Sequence, residues 1–354
     1  MEPTYKYSEK ITRYLKLGEE YNASDMHFKA GITPIVRIGS MLKSVDSVPL
    51  TSEEIYEFAD NFLTERQKSI LENMHEVDSS FFNGNERYRC NVYRDINGYN
   101  VSIRRVMLQL ASFEKLGIPE CIKTLALKKS GMILFTGPTG SGKSTTMSCI
   151  IDFLNHKVNS HIITLEDPIE CIHKSNTCLI SQREVGRDTT SFEKGLHAAM
   201  RQDPDVIMLG EMRSLESVST AVSAAETGHL VLSTLHTKGC ENTIDRIIDM
   251  FPAGQQNQIR VQLSMVLLGV ISQQLVPRID VPNGRVLATE VMIASGAIKN
   301  LIRTGKTHQI TSTIQTSISM GMHTMDSSLE KLYEDGIISE ESVKMYSFAN
   351  DANN

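Results

Sequence analysis

Apolar and polar positions change rhythm about a third of the way along the chain. Residues 1–20 carry a helical spacing, and residues 24–42 ("SDMHFKAGITPIVRIGSML") alternate with the two-residue period of strands. Residues 52–74 return to helix, with Ser52 the expected N-cap. Strand-like segments then follow at 77–84, 87–95 and 99–106, punctuated by Asn-Gly at 83–84 and 97–98. This pattern predicts a small α+β domain over residues 1–105 and a linker over 106–117. From residue 118 the pattern is strand, loop, helix, repeated. Short apolar runs at 132–136, 161–165, 206–209 and 230–235 look like buried parallel strands. Between them, Met147, Ile150, Ile151 and Leu154 share one helix face, as do Val218, Ala221, Val222 and Ala225. Thr190 and Glu193 suggest a capping box. Such alternation implies an α/β, right-handed doubly wound sheet over 118–354. Residues 255–275 and most positions after 297 read as helix, ending in the polar tail 350–354.

Composition narrows the class. Of 354 residues, 40% are hydrophobic and 22% charged, which is ordinary globular material with enough apolar mass for more than one core. The formal net charge of −6 and the lack of Trp argue against a nucleic-acid coat or a stacking channel. Six cysteines lie without C-x-x-C or zinc-ligand spacing, and are expected to be reduced core thiols. The 17 methionines are expected to pack cores and interfaces. The N-terminus has no apolar h-region, and the most apolar later run, "MVLLGVI", is far short of a membrane span. The expectation is a soluble, cytoplasmic protein able to dock on a membrane complex.

The candidate chemistry begins at residues 133–149, "ILFTGPTGSGKSTTMSC", which fit G-x-x-x-x-G-K-[ST] between a strand and a helix. Gly137, Pro138, Thr139, Gly140, Ser141, Gly142, Lys143, Ser144 and Thr145 would wrap the phosphates of a nucleoside triphosphate. Lys143 would reach the β/γ-phosphates and Ser144 would offer its hydroxyl to Mg²⁺. Acids follow two further strands: Glu166, Asp167 and Glu170 in one place, and Asp203, Asp205 and Glu211 around the other. The second is an atypical Walker B, with Gly210 at the usual Asp position, so Glu211 is the candidate to polarise water, helped by Glu166. His229 and His236 bracket the run 230–235 and are candidates to sense phosphate from its two ends. Asp25 and His27 tempt a metal reading.

These blocks together resemble the secretion-type ATPases of type II secretion, type IV pili and type IV secretion. "SDMHFKAG", "RYRCNVY", "RQDPDVIMLGEMR", "ENTIDRIIDMFP", "QLSMVLLGVISQQLVPR" and the segment from "AIKNLIR" at 297–303 narrow the resemblance to the PilT-like pilus retraction ATPases. The resemblance covers almost the whole chain and implies a PAS-like N-terminal domain and a RecA-like core with C-terminal helices. It further implies a homo-hexamer working with pilus machinery at the inner face of the cytoplasmic membrane. An inner-membrane platform protein would be its partner, and no nucleic acid would be bound. It assigns Arg89 and Arg104 to arginines that reach a neighbouring subunit's γ-phosphate; the middle position of that set falls on Asn97, for which Arg94 is the substitute. The same resemblance implies that Asp25 and His27 are a structural strand entry instead of a metal site. Ser214 and Lys299 depart from the family's usual Asp and Arg. A pilus assembly or type II secretion ATPase, a RecA-like nucleic-acid translocase and a non-hydrolysing regulator are the alternatives. The missing four-cysteine insert, the missing basic aromatic channel and the intact phosphate loop argue against them in turn.

Overall fold

The computed structural model describes residues 7–39, 41–83, 86–106, 112–282 and 284–348. The first six residues of the expected N-terminal helix, Gly84, residues 107–111 of the linker and the tail 350–354 lie outside them. The chain divides into two compact units, residues 1–109 and 110–354.

In the first unit, α1 (Glu9–Glu20), α2 (Ser52–Asp60) and α3 (Glu65–Met74) accompany six strands. These are β1 (Asp25–Lys29), β2 (Ile35–Ile38), β3 (Met41–Ser44), β4 (Glu76–Asn83), β5 (Glu86–Asp95) and β6 (Gly98–Val106). Among the described residues they form one antiparallel sheet in the order β3-β2-β1-β6-β5-β4. Tyr14, Leu15, Ile55, Phe58 and Leu71 from the helices bury themselves against Met26, Phe28, Phe81, Tyr88 and Ile103 from the strands. The cap of α2 is Thr51, one residue before the expected Ser52. Thr51 has the partner that makes a capping box: its Oγ1 accepts from Glu54 N–H, while the Glu54 carboxylate accepts from Thr51 N–H.

The second unit begins with α4 (Phe113–Leu116), α5 (Cys121–Ala126), β7 (Gly131–Thr136), α6 (Lys143–Lys157), β8 (His161–Glu166), β9 (Leu179–Glu184) and α7 (Phe192–Ala199). It continues through β10 (Val206–Leu209), α8 (Leu215–Glu226), β11 (Leu230–Leu235), α9 (Cys240–Asp249), α10 (Ala253–Val266), β12 (Leu267–Pro277) and β13 (Arg285–Ile293). It ends in α11 (Gly296–Thr304), α12 (Ile310–Thr316), α13 (Met325–Glu334) and α14 (Glu340–Tyr346). The strands form one sheet in the order β13-β12-β7-β11-β10-β8-β9, parallel from β12 to β9, with β13 antiparallel at one edge. Both faces are buried, as the doubly wound pattern requires. On β7, Met132 and Leu134 pack on the side of α8–α12, while Ile133 and Phe135 pack with α5 and α6. Neighbouring β10 alternates likewise, Ile207 and Leu209 against Val206 and Met208. A smaller cluster of Val276, Ala288, Met325, Leu329 and Ile338 seats α13 on the β12–β13 hairpin.

Two further sequence expectations need correction here. Residues 267–275, read as helix, are strand: α10 passes straight into β12, and Leu267 (φ −64°, ψ 129°) ends the helix and starts the strand with no glycine or proline between. The cap before α7 is Ser191, whose hydroxyl accepts from Lys194 N–H, not Thr190; Glu193 instead accepts a hydrogen bond from Ser214.

Candidate functional site

Parallel strands put their C-terminal ends on one edge, where ligands collect in open α/β sheets. At that edge β7 turns into the glycine-rich loop and α6. Gly137 has φ 137°, and a Cβ there would lie 2.3 Å from Gln273 O and 2.8 Å from Ser141 Oγ, so the loop is pressed against β12 and only glycine fits. Gly142 (φ 91°) is the N-cap of α6 and brings no side-chain cap, which leaves the first N–H groups of the helix to a ligand. Lys143 is buried, with Nζ donating to Gly137 O (2.7 Å) and Pro138 O (2.9 Å). Burial lowers its pKa, while the nearby charges of Glu211 and Glu170 oppose that shift. Pro138, Thr139, Gly140 and Thr145 are exposed, and Ser144 is half-buried. Ser141 Oγ is buried without a hydrogen-bond partner among the described residues. The uncapped helix, the glycine cradle and the ammonium suit a nucleoside triphosphate; Ser144 suits Mg²⁺.

Two carboxylates stand at the ends of neighbouring strands on this edge, in different environments. Glu166, the last residue of β8, is 6% exposed. Its Oε1 accepts from Thr164 Oγ1 (2.7 Å) and Gln182 Nε2 (3.3 Å), and the Glu170 N–H approaches Oε2 at 3.4 Å. Gln182 also donates to Cys171 O and accepts from His173 N–H, so it pins the loop after Glu166 as well. Glu211 follows β10 and is more open. Its Oε2 lies 2.8 Å from Arg213 Nη2 and its Oε1 3.3 Å from His236 Nε2. Burial pushes the Glu211 carboxyl up, but the Arg213 hydrogen bond and the charges of Arg213 and His236 together hold it below the usual carboxylate range. Gly210 has a reason of its own: a Cβ there would press on Leu165 O (3.3 Å) and meet Glu166 Cα (3.4 Å), so the position favours glycine. Ser214, in place of an acid, caps α8 through Ser217 N–H.

The structure thus gathers the phosphate loop, Glu166, Glu211 and His236 on one edge, with Glu170 nearby. Other expected residues of this unit lie at the opposite edge. His229 precedes β11, at the opposite end from His236. Six strand residues separate the two, roughly 20 Å at strand rise. Its Nδ1 lies 2.8 Å from Ala224 O and 3.2 Å from Thr227 Oγ1, so within this chain it is tied to the end of α8 rather than to the loop. Asp203 and Asp205 share that far edge, where the Asp205 carboxylate accepts from His161 N–H (2.8 Å). In the first unit, Arg89 and Arg104 are directly opposite each other on β5 and β6. Arg104 donates to Asp25 Oδ1 at 2.8 Å, and its side chain is 67% exposed. Arg89 is half-buried. Asn97 lies in the β5–β6 turn, and the Arg94 guanidinium sits over the Tyr99 ring at 5.1 Å. Asp25 is therefore engaged by an arginine, and among the described residues no group of three His, Cys, Asp or Glu could hold a metal ion. Nor is any described helix long and apolar enough to cross a membrane. Sequence reading missed Arg213 as a partner of Glu211, although it stands in the quoted "GEMR". It also missed Gln182 and Gln273, which act from strands it did not recognise.

Residues 84–344 match the Type II/IV secretion system protein family. The chain is 42% identical over 335 residues to the "Type IV pilus retractation ATPase PilT" of Pseudomonas aeruginosa, covering 94% of this chain and 97% of that protein. It is 38% identical over 330 residues to the "Type IV pilus ATPase PilU" of the same organism, covering 93% and 86%. Its fold superposes on the crystal structure of the pilus retraction motor PilT with bound ADP at a TM-score of 0.89 and 44% identity, over 96% of this chain and 97% of that one.

Proposed function

The chain belongs to the Type II/IV secretion system protein family, and from that premise we propose that it is the ATP-hydrolysing motor that retracts a type IV pilus and so drives twitching motility. One observation carries the reading: a complete phosphate loop whose Lys143 feels the charge of Glu211, in a chain that matches a retraction ATPase over 94% of its length. The loop at 137–145 takes the triphosphate, and Lys143 exchanges the Gly137 and Pro138 carbonyls for β/γ-phosphate oxygens. When bound, Mg²⁺ neutralises charge on those oxygens, and Ser144 is the residue to hold it. Glu211 stays ionised beside Arg213 and His236 and orients the attacking water. Glu166, held by Thr164, Gln182 and the Glu170 N–H, supports the site rather than taking the proton. His229 answers to the end of α8 and is a coupling residue rather than a phosphate contact.

The proposed assembly is a ring of six. Residues 1–105 act as the PAS-like domain, 106–117 as the linker and 118–354 as the RecA-like core. Arg89 and Arg104 supply charge to a neighbour's γ-phosphate, a contribution worth about 10³–10⁵ in rate for such fingers. The ring works against an inner-membrane platform protein of the pilus machinery, at the inner face of the cytoplasmic membrane. Deleting the gene in its own host tests the direction of work. Excess surface pili with lost surface motility is the expected result; cells without pili would refute retraction.

A further inference from the structure

Behind His236 the chain is tied down by a carboxylate outside every motif described above. Glu290 on β13 is 5% exposed and directly opposite Ser272 of β12. These neighbouring side chains meet consecutive N–H groups at the start of α9. Ser272 Oγ accepts from Gly239 N–H at 3.1 Å, and Glu290 Oε1 accepts from Cys240 N–H at 2.6 Å. The N-cap of α9 is Gly239 (φ 79°), which has no side chain to do this work. The same carboxylate is bonded by the backbone of Met325, the first residue of α13. One buried acid therefore joins the N-termini of two helices, where both helix dipoles favour an anion. Burial pushes its carboxyl up, and the backbone donors of Cys240 and Met325 pull against that shift.

Only four positions separate Cys240 from His236, and the positions between are held too. Thr243 Oγ1 donates to Gly239 O at 2.7 Å, which leaves Thr237 Oγ1 to donate to Thr243 Oγ1, also at 2.7 Å. Phe348 covers the same turn, 3.6 Å from where a Cβ of Gly239 would be. His236 then meets Glu211 at 3.3 Å. We propose that Glu290 is a positioning residue for His236: by capping α9 it fixes the loop 237–240 and so sets the imidazole against Glu211.

The inference rests on the reading that His236 works beside Glu211 in hydrolysis, and a double-mutant cycle in the full chain separates the two. Glu290→Gln keeps one acceptor but turns an NH₂ toward a backbone donor. It is expected to lower kcat about tenfold with KM for ATP within about twofold, and to lower kcat less than about twofold when His236 is already Ala. A merely structural role would move both backgrounds equally. A full tenfold loss in the His236→Ala background, or a KM change as large as that in kcat, overturns the inference while leaving the reading of His236 intact. If His236→Ala alone turns over like wild type, the reading of the site falls and the inference with it. Should Glu290→Gln not fold, Ser272→Ala removes the neighbouring acceptor without touching the acid. Its expected loss is about threefold in wild type and none in His236→Ala, and equal losses in both refute the proposal.

Discussion

Replacing Glu211 by Gln should separate turnover from fold. The carboxylate has two partners, Arg213 Nη2 at 2.8 Å and His236 Nε2 at 3.3 Å. The Arg213 side chain is 66% exposed, so this ion pair is screened by water and its loss costs about 0–1 kcal/mol of stability. That corresponds to a shift of about 4 °C or less in the thermal midpoint. The chemical cost is of another order. Arg213 and His236 keep Glu211 ionised at neutral pH, the state needed to orient water and accept its proton. Removing such a base costs about 10²–10⁴ in rate, or roughly 2.7–5.4 kcal/mol of barrier. Phosphate release should therefore collapse while the melting curve hardly moves. KM for ATP should hold, because the loop contacts made by Lys143 do not pass through Glu211. Steady-state phosphate release, thermal melting and nucleotide retained through purification measure the three terms. Turnover within tenfold of wild type would refute the argument. A collapse in Glu166→Gln with normal turnover in Glu211→Gln would show that the roles are reversed, and that the hydrogen bonds holding Glu166 do not disqualify it.

Lys143→Ala should abolish hydrolysis with the fold retained, since it removes charge from the phosphates and frees only two loop carbonyls; activity above about a tenth of wild type would sink the site. Arg89→Ala should bind ATP yet hydrolyse it poorly, and mixing it with Lys143→Ala should recover activity where a good loop meets a good arginine; co-assembled mixtures with no recovery would exclude a shared site. His173 offers a pH test. Burial lowers its pKa to about 4 from the usual 6.5, so the unfolded chain takes up the proton first as pH falls, and stability drops from pH 6.5 toward 4. His173→Gln should flatten that part of the melting profile; an unchanged slope would refute it. Lys299→Ala with Arg303→Ala should keep ATPase and lose retraction. Arg303 is exposed and the Lys299 ammonium makes one long contact, 3.5 Å to Met265 O, so each loss should cost roughly 0.5 kcal/mol or less. An ATPase rate that falls as far as motility does would make the segment catalytic or structural.

Strands β7, β8, β10 and β11 were legible because burial on both faces writes them as short apolar runs bounded by polar residues or glycine. The helix 297–303 was legible in part. Ile298 and Ile302 are buried and Leu301 half-buried, but Ala297, which a helical period puts on the same face, is exposed. Strand β12 was hidden because its apolar run continues that of α10 without a breaker, and periodicity alone cannot place such a boundary. The phosphate loop was legible because its residues are contiguous. The pairing of Glu211 with His236 was not, since it depends on β10 and β11 being parallel neighbours. His229 shows the same limit from the other side. The sequence puts the two histidines at the two ends of one strand, yet only the end with His236 shares the edge of the phosphate loop. Glu290 and Cys240 lie 50 positions apart, in a pairing that no local pattern encodes.

The hairpin that sequence reading missed is also what connects the parts it found. β12 backs the phosphate loop, with Gln273 O against Gly137 and Gln273 Nε2 donating to Thr146 Oγ1 of α6 at 2.8 Å. One residue earlier, Ser272 holds the turn that leads from His236 into α9. One residue later, Gln274 donates to Tyr346 O at the end of α14. On β13, Thr289 bonds His323 through Oγ1 and takes Ser328 Oγ at its N–H, while its neighbour Glu290 caps α9. Consecutive residues of one hairpin thus touch the loop, the histidine segment and the C-terminal helices. Side chains this buried have little room to move independently, because packed interiors transmit displacement rather than absorb it. A change at the phosphate loop has a stiff, hydrogen-bonded route to α13 and α14, and it runs through β12–β13 rather than through the motifs that announce the chemistry.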